Sequence, residues 1–131
     1  MIIGIGNDLL QIARMAATFE RTQGRIAQRI LGKDEYHVFL NRRARNTKRG
    51  LAYLCTRFAA KEAFSKAIGL GMHVPMTWQS VQILNEPSGK PYLIYSGELL
   101  SWMNERHWFA EVTITDEQEI VSSVVIVQQA L

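Results

Sequence analysis

One long segment with helical periodicity, from residue 47 to residue 68, constrains the fold of this chain more than any other. Apolar residues recur there at the spacing of a helix, at Leu51, Leu54, Cys55, Phe58, Ala59 and Ala63. Gly69 and Gly71 then supply a stop, because helices commonly end at glycine. The pattern therefore predicts one long helix in the middle of the chain.

Shorter elements are predicted on both sides of this helix. The first half indicates a buried strand at residues 2–5, a turn at 6–8, helices at 10–22, 25–31 and 33–40, and an exposed basic loop at 41–50. The second half indicates a hairpin of strands 81–84 and 91–95, a helix at 97–106, and strands at 109–115 and 120–127. This order predicts an α+β fold, with a mostly antiparallel sheet packed on one long helix.

Composition is typical of a globular protein and excludes several other classes. Of the 131 residues, 47% are hydrophobic and 21% are charged, and no apolar run is long enough for a membrane helix. The start of the chain lacks the basic flank of a secretory signal. A single cysteine, Cys55, excludes an intramolecular disulfide and a cysteine metal cluster. We therefore expect one domain over residues 1–131, in the cytoplasm and without a membrane partner.

Charge is distributed unevenly along the chain. Residues 1–66 contain 13 basic and 5 acidic residues, whereas residues 67–131 contain 2 basic and 7 acidic ones. The first half thus carries a net charge of +8, which favours an anionic partner: nucleic acid, a phosphorylated small molecule or an acidic protein. A solvated basic surface that balances an acidic one is equally compatible. A small nucleic-acid-binding domain remains the alternative function, although no base-stacking motif supports it.

Two carboxylates, Asp8 and Glu62, are candidates for metal chemistry. Asp8 follows the first predicted strand, where it could point into a cleft or cap the next helix. Glu62 shares one side of the long helix with Lys61, Ser65 and Lys66, which is also typical of a solvated face with a Glu62–Lys66 pair. Carboxylate oxygens suit Mg²⁺, which shares its other positions with water and phosphate, and nearby lysines would neutralise a pyrophosphate.

Two further features are candidates for binding. Arg14, Arg21 and Arg25 lie close to one stripe if their helix continues through Gly24, which favours docking of an acidic partner as much as it fits a solvated face. The turn at residues 85–91, NEPSGKP, has a glycine that would let backbone amides approach a ligand. Most turns of this composition are only turns.

Three segments carry a family resemblance: GIGNDLLQIAR at residues 4–14, RFAAKEAFSKAIGLG at 57–71, and the N-x-x-x-G-K-P turn at 85–91. In this order and spacing they resemble the bacterial holo-acyl-carrier-protein synthases, the small class of 4′-phosphopantetheinyl transferases, over residues 1 to about 127. The resemblance implies the α+β fold of that family and a homotrimer with active sites between protomers. It also implies Mg²⁺-dependent transfer of 4′-phosphopantetheine from coenzyme A to a serine of apo acyl carrier protein, for fatty acid biosynthesis, with release of adenosine 3′,5′-bisphosphate.

The same resemblance implies roles for individual residues. Asp8 and Glu62 match the family's metal ligands, and Lys66 assists catalysis. The residues that match coenzyme A contacts are Arg57, Lys61, Ser65, Lys66, Gly89, Lys90 and Pro91. The basic segment 42–49 falls where the family binds the 3′-phosphate of coenzyme A. Arg14, Arg21 and Arg25 fall on the surface that meets the acidic carrier protein.

Glu111 marks a departure from the family pattern. Many members carry histidine in a sequence like H-V-S-I-T, where this chain has E-V-T-I-T. The identity of the general base therefore stays open. Alternation places Glu111 on the less apolar face of its strand, from which it could reach the cleft and accept the serine proton. A water on the metal could serve instead, and a solvated strand residue is equally compatible with the pattern.

Overall fold

Five helices and five strands make up the structure, a computed structural model that describes residues 1–131. In chain order they are β1 (Ile2–Gln11), α1 (Ile12–Arg21), α2 (Arg25–Ile30), α3 (Lys33–Arg45), α4 (Thr47–Ala67), β2 (Val81–Asn85), β3 (Pro91–Tyr95), α5 (Gly97–Arg106), β4 (Trp108–Asp116) and β5 (Ile120–Gln129). No helix has both the length and the apolar character needed to cross a membrane.

The strands form two antiparallel sheets that pack around α4. Strands β1, β5 and β4 form one sheet in that order, and β2 pairs with β3 in the predicted hairpin. Helix α4 contacts β1, β5 and β4 as well as α3 and β2. Thirteen of its 21 residues are buried, as expected of a helix covered on most sides. The predicted α+β fold, a mostly antiparallel sheet on one long helix, is confirmed.

Strand β1 is longer than predicted, and the turn predicted at residues 6–8 is wrong. The strand pairs with β5 from Ile2 to Gln11, so the first helix begins only at Ile12. Glycine is needed in β1 because α4 packs directly onto the strand. A Cβ at Gly4 would lie 2.1 Å from the Ala67 carbonyl oxygen, and one at Gly6 would lie 2.0 Å from that of Ala63. Any side chain at these positions would push α4 away from β1.

The loop predicted at residues 41–50 is also wrong, because helix occupies almost all of it. Helix α3 continues to Arg45, with three arginines in its last turn, where cations interact favourably with the helix dipole. Only Asn46 interrupts the helical backbone. Its Oδ1 accepts hydrogen bonds from the N–H groups of Lys48 and Arg49, at 2.9 and 3.2 Å, and thereby caps α4. The other predicted elements agree with the structure to within one or two residues at each end.

Candidate functional site

Asp8 and Glu62 come together where β1 lies against α4. Asp8 occupies the same face of β1 as the two glycines, since side chains two residues apart point the same way. The close approach of helix and strand therefore continues to the Asp8 carboxylate. Lys66, one helical turn beyond Glu62, places its Nζ 3.2 Å from Asp8 Oδ1 and donates to the Asn7 carbonyl at 3.0 Å. The structure thus brings together the three predicted residues Asp8, Glu62 and Lys66.

These contacts overturn the two structural alternatives for the carboxylates. The N-cap position of α1 is Gln11, so Asp8 does not cap that helix. The salt bridge of Lys66 goes to Asp8 on the neighbouring strand and not to Glu62 on its own helix. Glu62 therefore faces the cleft without a salt-bridge partner, and Asp8 faces it paired with Lys66 alone.

The electrostatics of the pair fit a divalent cation. Partial burial raises the pKa of Glu62, the negative charge of Asp8 raises it further, and Lys66 partly offsets both. A cation bound beside Glu62 would favour its ionised form and so offset the effects of burial and of Asp8. No cluster of three or more His, Cys, Asp or Glu side chains is present. Two carboxylate ligands fit Mg²⁺, which is usually held by one or two carboxylates, water and substrate phosphates.

A cleft of about 310 Å³ opens beside the two carboxylates. Arg14 lies at its edge, and the floor is apolar, formed mainly by Leu10, Met15, Ile26 and Phe58. The cleft thus combines charged side chains with an apolar floor.

The basic residues predicted to meet a carrier protein do not lie on one helix. Helix α1 ends at Arg21, the chain turns at Gly24 with a φ of +82°, and Arg25 begins α2. The condition for one continuous stripe, a helix that continues through Gly24, is therefore not met. Arg14, Arg21 and Arg25 are nonetheless all exposed, on two consecutive helices that flank the cleft.

Lys61 lies in the interior, and the prediction that it meets a coenzyme A phosphate is wrong. Its side chain is fully buried, and Nζ lies 2.7 Å from Glu35 Oε1. The ammonium also donates to the carbonyl oxygens of Ile30 and Trp78, at 2.6 and 2.8 Å. These three acceptors use all three N–H donors, so none is left for a ligand.

Arg57 and Ser65 are also turned inward. Arg57 is 4% exposed, and its guanidinium donates to the Ile83 carbonyl at 3.0 Å and to the side chain of Asn85. Ser65 is 1% exposed, and its hydroxyl donates to the Glu62 carbonyl at 2.7 Å. The predicted direct contacts with coenzyme A are not available to side chains this deeply buried. The geometry assigns Arg57 instead to holding the β2–β3 turn against α4.

The remaining predicted coenzyme A residues lie on another side of α4. Arg57, which contacts the β2–β3 turn, and Glu62 project about 140° apart around the helix. Gly89 and Lys90 are exposed in that turn, Pro91 is half-buried at the start of β3, and none of the three lines the Asp8–Glu62 cleft. A single chain therefore does not bring the turn together with the two carboxylates.

Glu111 belongs to the opposite face of the three-stranded sheet from Asp8. It pairs with Ile126 of β5, which pairs in turn with Ile5 of β1. Asp8 lies three residues beyond Ile5, and alternate residues face opposite ways. Glu111 is exposed, and Lys90 Nζ lies 3.6 Å from its Oε2. Glu111 therefore does not reach the cleft of its own chain, and its predicted role as a base stays a prediction.

A basic pocket of about 590 Å³ lies at the junction of α3 and α4, lined chiefly by Arg42, Arg45, Arg49 and Tyr53. None of the three arginines forms a salt bridge, although the pocket also includes Asp116. The guanidinium of Arg42 lies 4.8 Å from the Tyr53 ring centroid, and that of Arg57 lies 4.2 Å from it. Guanidinium groups without a carboxylate partner favour binding of a phosphate.

Sequence reasoning missed Glu35, the buried partner of Lys61. Its Oε1 also accepts from the Gly32 N–H at 2.8 Å, and its Oε2 accepts from the Ile83 N–H at 2.8 Å. An acidic residue in the first turn of a helix predicts only a favourable dipole interaction. The possible signal was Lys61, a charged residue among the small and apolar residues of the long helix, which would need a partner if its side chain were buried.

The segments that build this site lie within the match to a known family. The family model of the 4′-phosphopantetheinyl transferase superfamily matches residues 4–124. This chain belongs to that superfamily. The match includes Asp8, Glu62 and Lys66, as well as the β2–β3 turn, so the clustered carboxylates are part of a phosphopantetheinyl transferase.

Individual relatives of this phosphopantetheinyl transferase are similar over almost its whole length. A holo-[acyl-carrier-protein] synthase of Polynucleobacter asymbioticus is 61% identical over 129 residues, which cover 98% of this chain and 99% of that protein. The crystal structure of a holo-[acyl-carrier-protein] synthase from Neisseria meningitidis superposes with a TM-score of 0.91 at 30% identity, covering 98% and 100% of the two chains. A Bacillus anthracis enzyme of the same name, in complex with CoA (3′,5′-ADP), has a TM-score of 0.80 at 28% identity and covers 99% of both.

Proposed function

We propose that this phosphopantetheinyl transferase is a holo-acyl-carrier-protein synthase. It transfers 4′-phosphopantetheine from coenzyme A to a serine of apo acyl carrier protein and releases adenosine 3′,5′-bisphosphate. The observation that carries the proposal is the meeting of Asp8, Glu62 and Lys66 beside an apolar cleft. The names of the similar proteins agree with it, and the nucleic-acid-binding alternative finds no support among them.

The residues of the cleft account for the reaction as follows. The serine hydroxyl attacks the β-phosphorus of coenzyme A, its proton passes to a general base, and the bond from that phosphorus to the leaving bisphosphate breaks. Asp8 and Glu62 would hold Mg²⁺, which when bound offsets the charge of the pyrophosphate. Lys66 is half-exposed next to Asp8 and adds positive charge where the leaving group departs. Apolar side chains of the cleft floor, including Phe58 and Met15, lie beside the reacting groups.

The basic pocket is proposed to hold the 3′-phosphate end of coenzyme A. Arg42, Arg45 and Arg49 supply positive charge that no carboxylate pairs with, and guanidinium groups bind phosphate bidentately. In this assignment Arg57 acts indirectly, by holding the β2–β3 turn in place.

A homotrimer with active sites between protomers would unite the separated parts of the site. The outer face of the three-stranded sheet supports this assembly, because it exposes 67% of Ile5, 63% of Leu9 and 42% of Phe109. Glu111 lies on that face, so it would contribute to a neighbour's cleft as the candidate base. Sedimentation equilibrium tests the assembly: a mass of three chains is expected, and a monomer at assay concentration would contradict it.

The cytoplasmic location stays a prediction.

A direct assay tests the proposed function. The protein is incubated with a purified apo acyl carrier protein, coenzyme A and Mg²⁺, and the carrier is weighed by mass spectrometry. We expect the mass to increase by one phosphopantetheine group, and chelation of the metal with EDTA to prevent the increase. A carrier of unchanged mass under all conditions would overturn the proposal.

The exposed arginines predict a salt-dependent encounter with the acidic carrier. Reversal of Arg14 and Arg21 to Glu should raise KM for the carrier and leave KM for coenzyme A unchanged, because exposed charges act mainly on encounter and are screened by salt. Initial rates at low carrier concentration, measured over a salt series, check this. The wild-type rate should fall as salt rises, whereas the reversed variant should lose this dependence. A salt-insensitive wild-type rate would contradict the docking surface.

A further inference from the structure

A third depression lies beyond the C-terminal end of α1, between α1, α2 and α3, with a volume of about 600 Å³. We call it the aromatic groove; its main lining residues are Phe19, Arg25, Tyr36, Phe39, Leu40 and Arg43. The Phe39 ring forms the floor, with its centroid 6.1 Å from that of Phe19 and 5.9 Å from that of Tyr36. Leu40 is 43% exposed at the rim. None of these residues belongs to the Asp8–Glu62 cleft.

The charges around the groove favour an acidic occupant. Arg25 and Arg43 both line it, and neither forms a salt bridge. The Arg43 guanidinium lies 4.7 Å from the Phe19 ring centroid, so the aromatic ring holds it at the groove. Glu20 is the only acidic residue of the lining. This arrangement suits an apolar side chain whose neighbours are carboxylates.

The groove lies within reach of a partner that is bound at the cleft. Arg14 and Met15 of α1 line the cleft, whereas Phe19 of the same helix lines the groove. Four residues of helix span about 6 Å. A protein interface of ordinary size covers about 800 Å² on each partner, which is about 30 Å across. A carrier protein whose serine reaches Asp8 and Glu62 would therefore cover the groove as well.

We propose that the aromatic groove is a second contact for the acidic carrier protein, separate from the catalytic cleft. It seats an apolar side chain of the carrier against Phe39 and Leu40, while Arg25 and Arg43 pair with carboxylates on either side. The proposal rests on the proposed function, because it takes the carrier protein as the substrate. It adds α3 to a docking surface otherwise formed by arginines of α1 and α2.

Steady-state kinetics of Leu40→Asp, with apo acyl carrier protein varied at saturating coenzyme A, test the proposal. The substitution places a carboxylate where the groove should meet an acidic partner. We expect KM for the carrier to rise about tenfold, the scale of a lost interface anchor, with kcat and KM for coenzyme A unchanged. Leu100→Asp is the matched control, because Leu100 is 41% exposed on α5. It should leave all three constants unchanged.

The outcomes separate the groove from the reaction. If the wild type transfers phosphopantetheine and Leu40→Asp has an unchanged KM for the carrier, the groove is not a carrier contact. The proposed function would then still stand. An equal rise in KM for Leu100→Asp would also overturn it, since the effect would then be one of added charge alone. Absence of transfer by the wild type would overturn both. A variant that changes the sedimentation mass and not KM would show that a second copy of the chain covers the groove.

Discussion

Replacement of Glu62 by Gln should nearly abolish phosphopantetheinyl transfer and leave the metal-free protein slightly more stable. Gln keeps the shape of the side chain but removes the charge that would hold a cation. Loss of one group that stabilises transition-state charge lowers kcat by about 10²–10³-fold. The free energy of unfolding should rise slightly, because burial and the charge of Asp8 both disfavour the ionised Glu62 carboxylate. Turnover and thermal unfolding of the same preparations check the two effects.

Two further variants complete this test. Asp8→Asn should lose activity to a similar extent, since it removes the other carboxylate of the pair. Glu98→Gln, an exposed acidic residue at the start of α5, is the control and should change neither turnover nor stability. Calorimetric titration with Mg²⁺ should show weaker binding in both active-site variants. Normal turnover of Glu62→Gln at limiting Mg²⁺ would remove the residue from the metal site.

The sequence predicts the helices and strands of this fold better than it predicts how they pack against one another. The period of α4 and the hairpin signal of the 85–91 turn are local patterns, and both are confirmed. The role of Gly6 cannot be predicted from its neighbours in sequence. A glycine followed by Asn7 and Asp8 is typical of a turn. Only the packing of α4 on β1 shows that this glycine instead makes room for a helix backbone.

Side-chain direction explains the mixed outcome at the site. Asp8 and Glu62 were predicted as a pair from their chemistry and the family motifs, and the structure places them beside Lys66. Lys61 and Lys66 are the same residue type on the same helix. Lys66 is exposed, whereas Lys61 points into the interior towards Glu35, which lies 26 residues away in the sequence. Helical periodicity fixes the angle between two side chains, but not which angle faces solvent. Sequence reasoning therefore could not separate a buried lysine from an exposed one on the same helix.

The buried Glu35–Lys61 pair predicts the largest change in stability. Lys61→Met should lower the free energy of unfolding by about 3–5 kcal/mol, because it leaves the Glu35 charge buried without a counter-ion. It also leaves the carbonyls of Ile30 and Trp78 without their donor. A domain of this size is stable by only about 5–15 kcal/mol, so the loss is a large fraction of the total. Urea unfolding followed by circular dichroism measures it.

The double variant Glu35→Gln/Lys61→Met separates a charge effect from a packing effect. Gln keeps one of the two carboxylate acceptors, so its oxygen can accept the N–H group of Gly32 or that of Ile83 but not both, and it carries no charge that must be neutralised. We therefore expect the double variant to be more stable than Lys61→Met alone, although less stable than the wild type. A double variant that is less stable than Lys61→Met would mean that the buried carboxylate stabilises this junction of α2, α3, α4 and β2 through its hydrogen bonds even when no cation faces it.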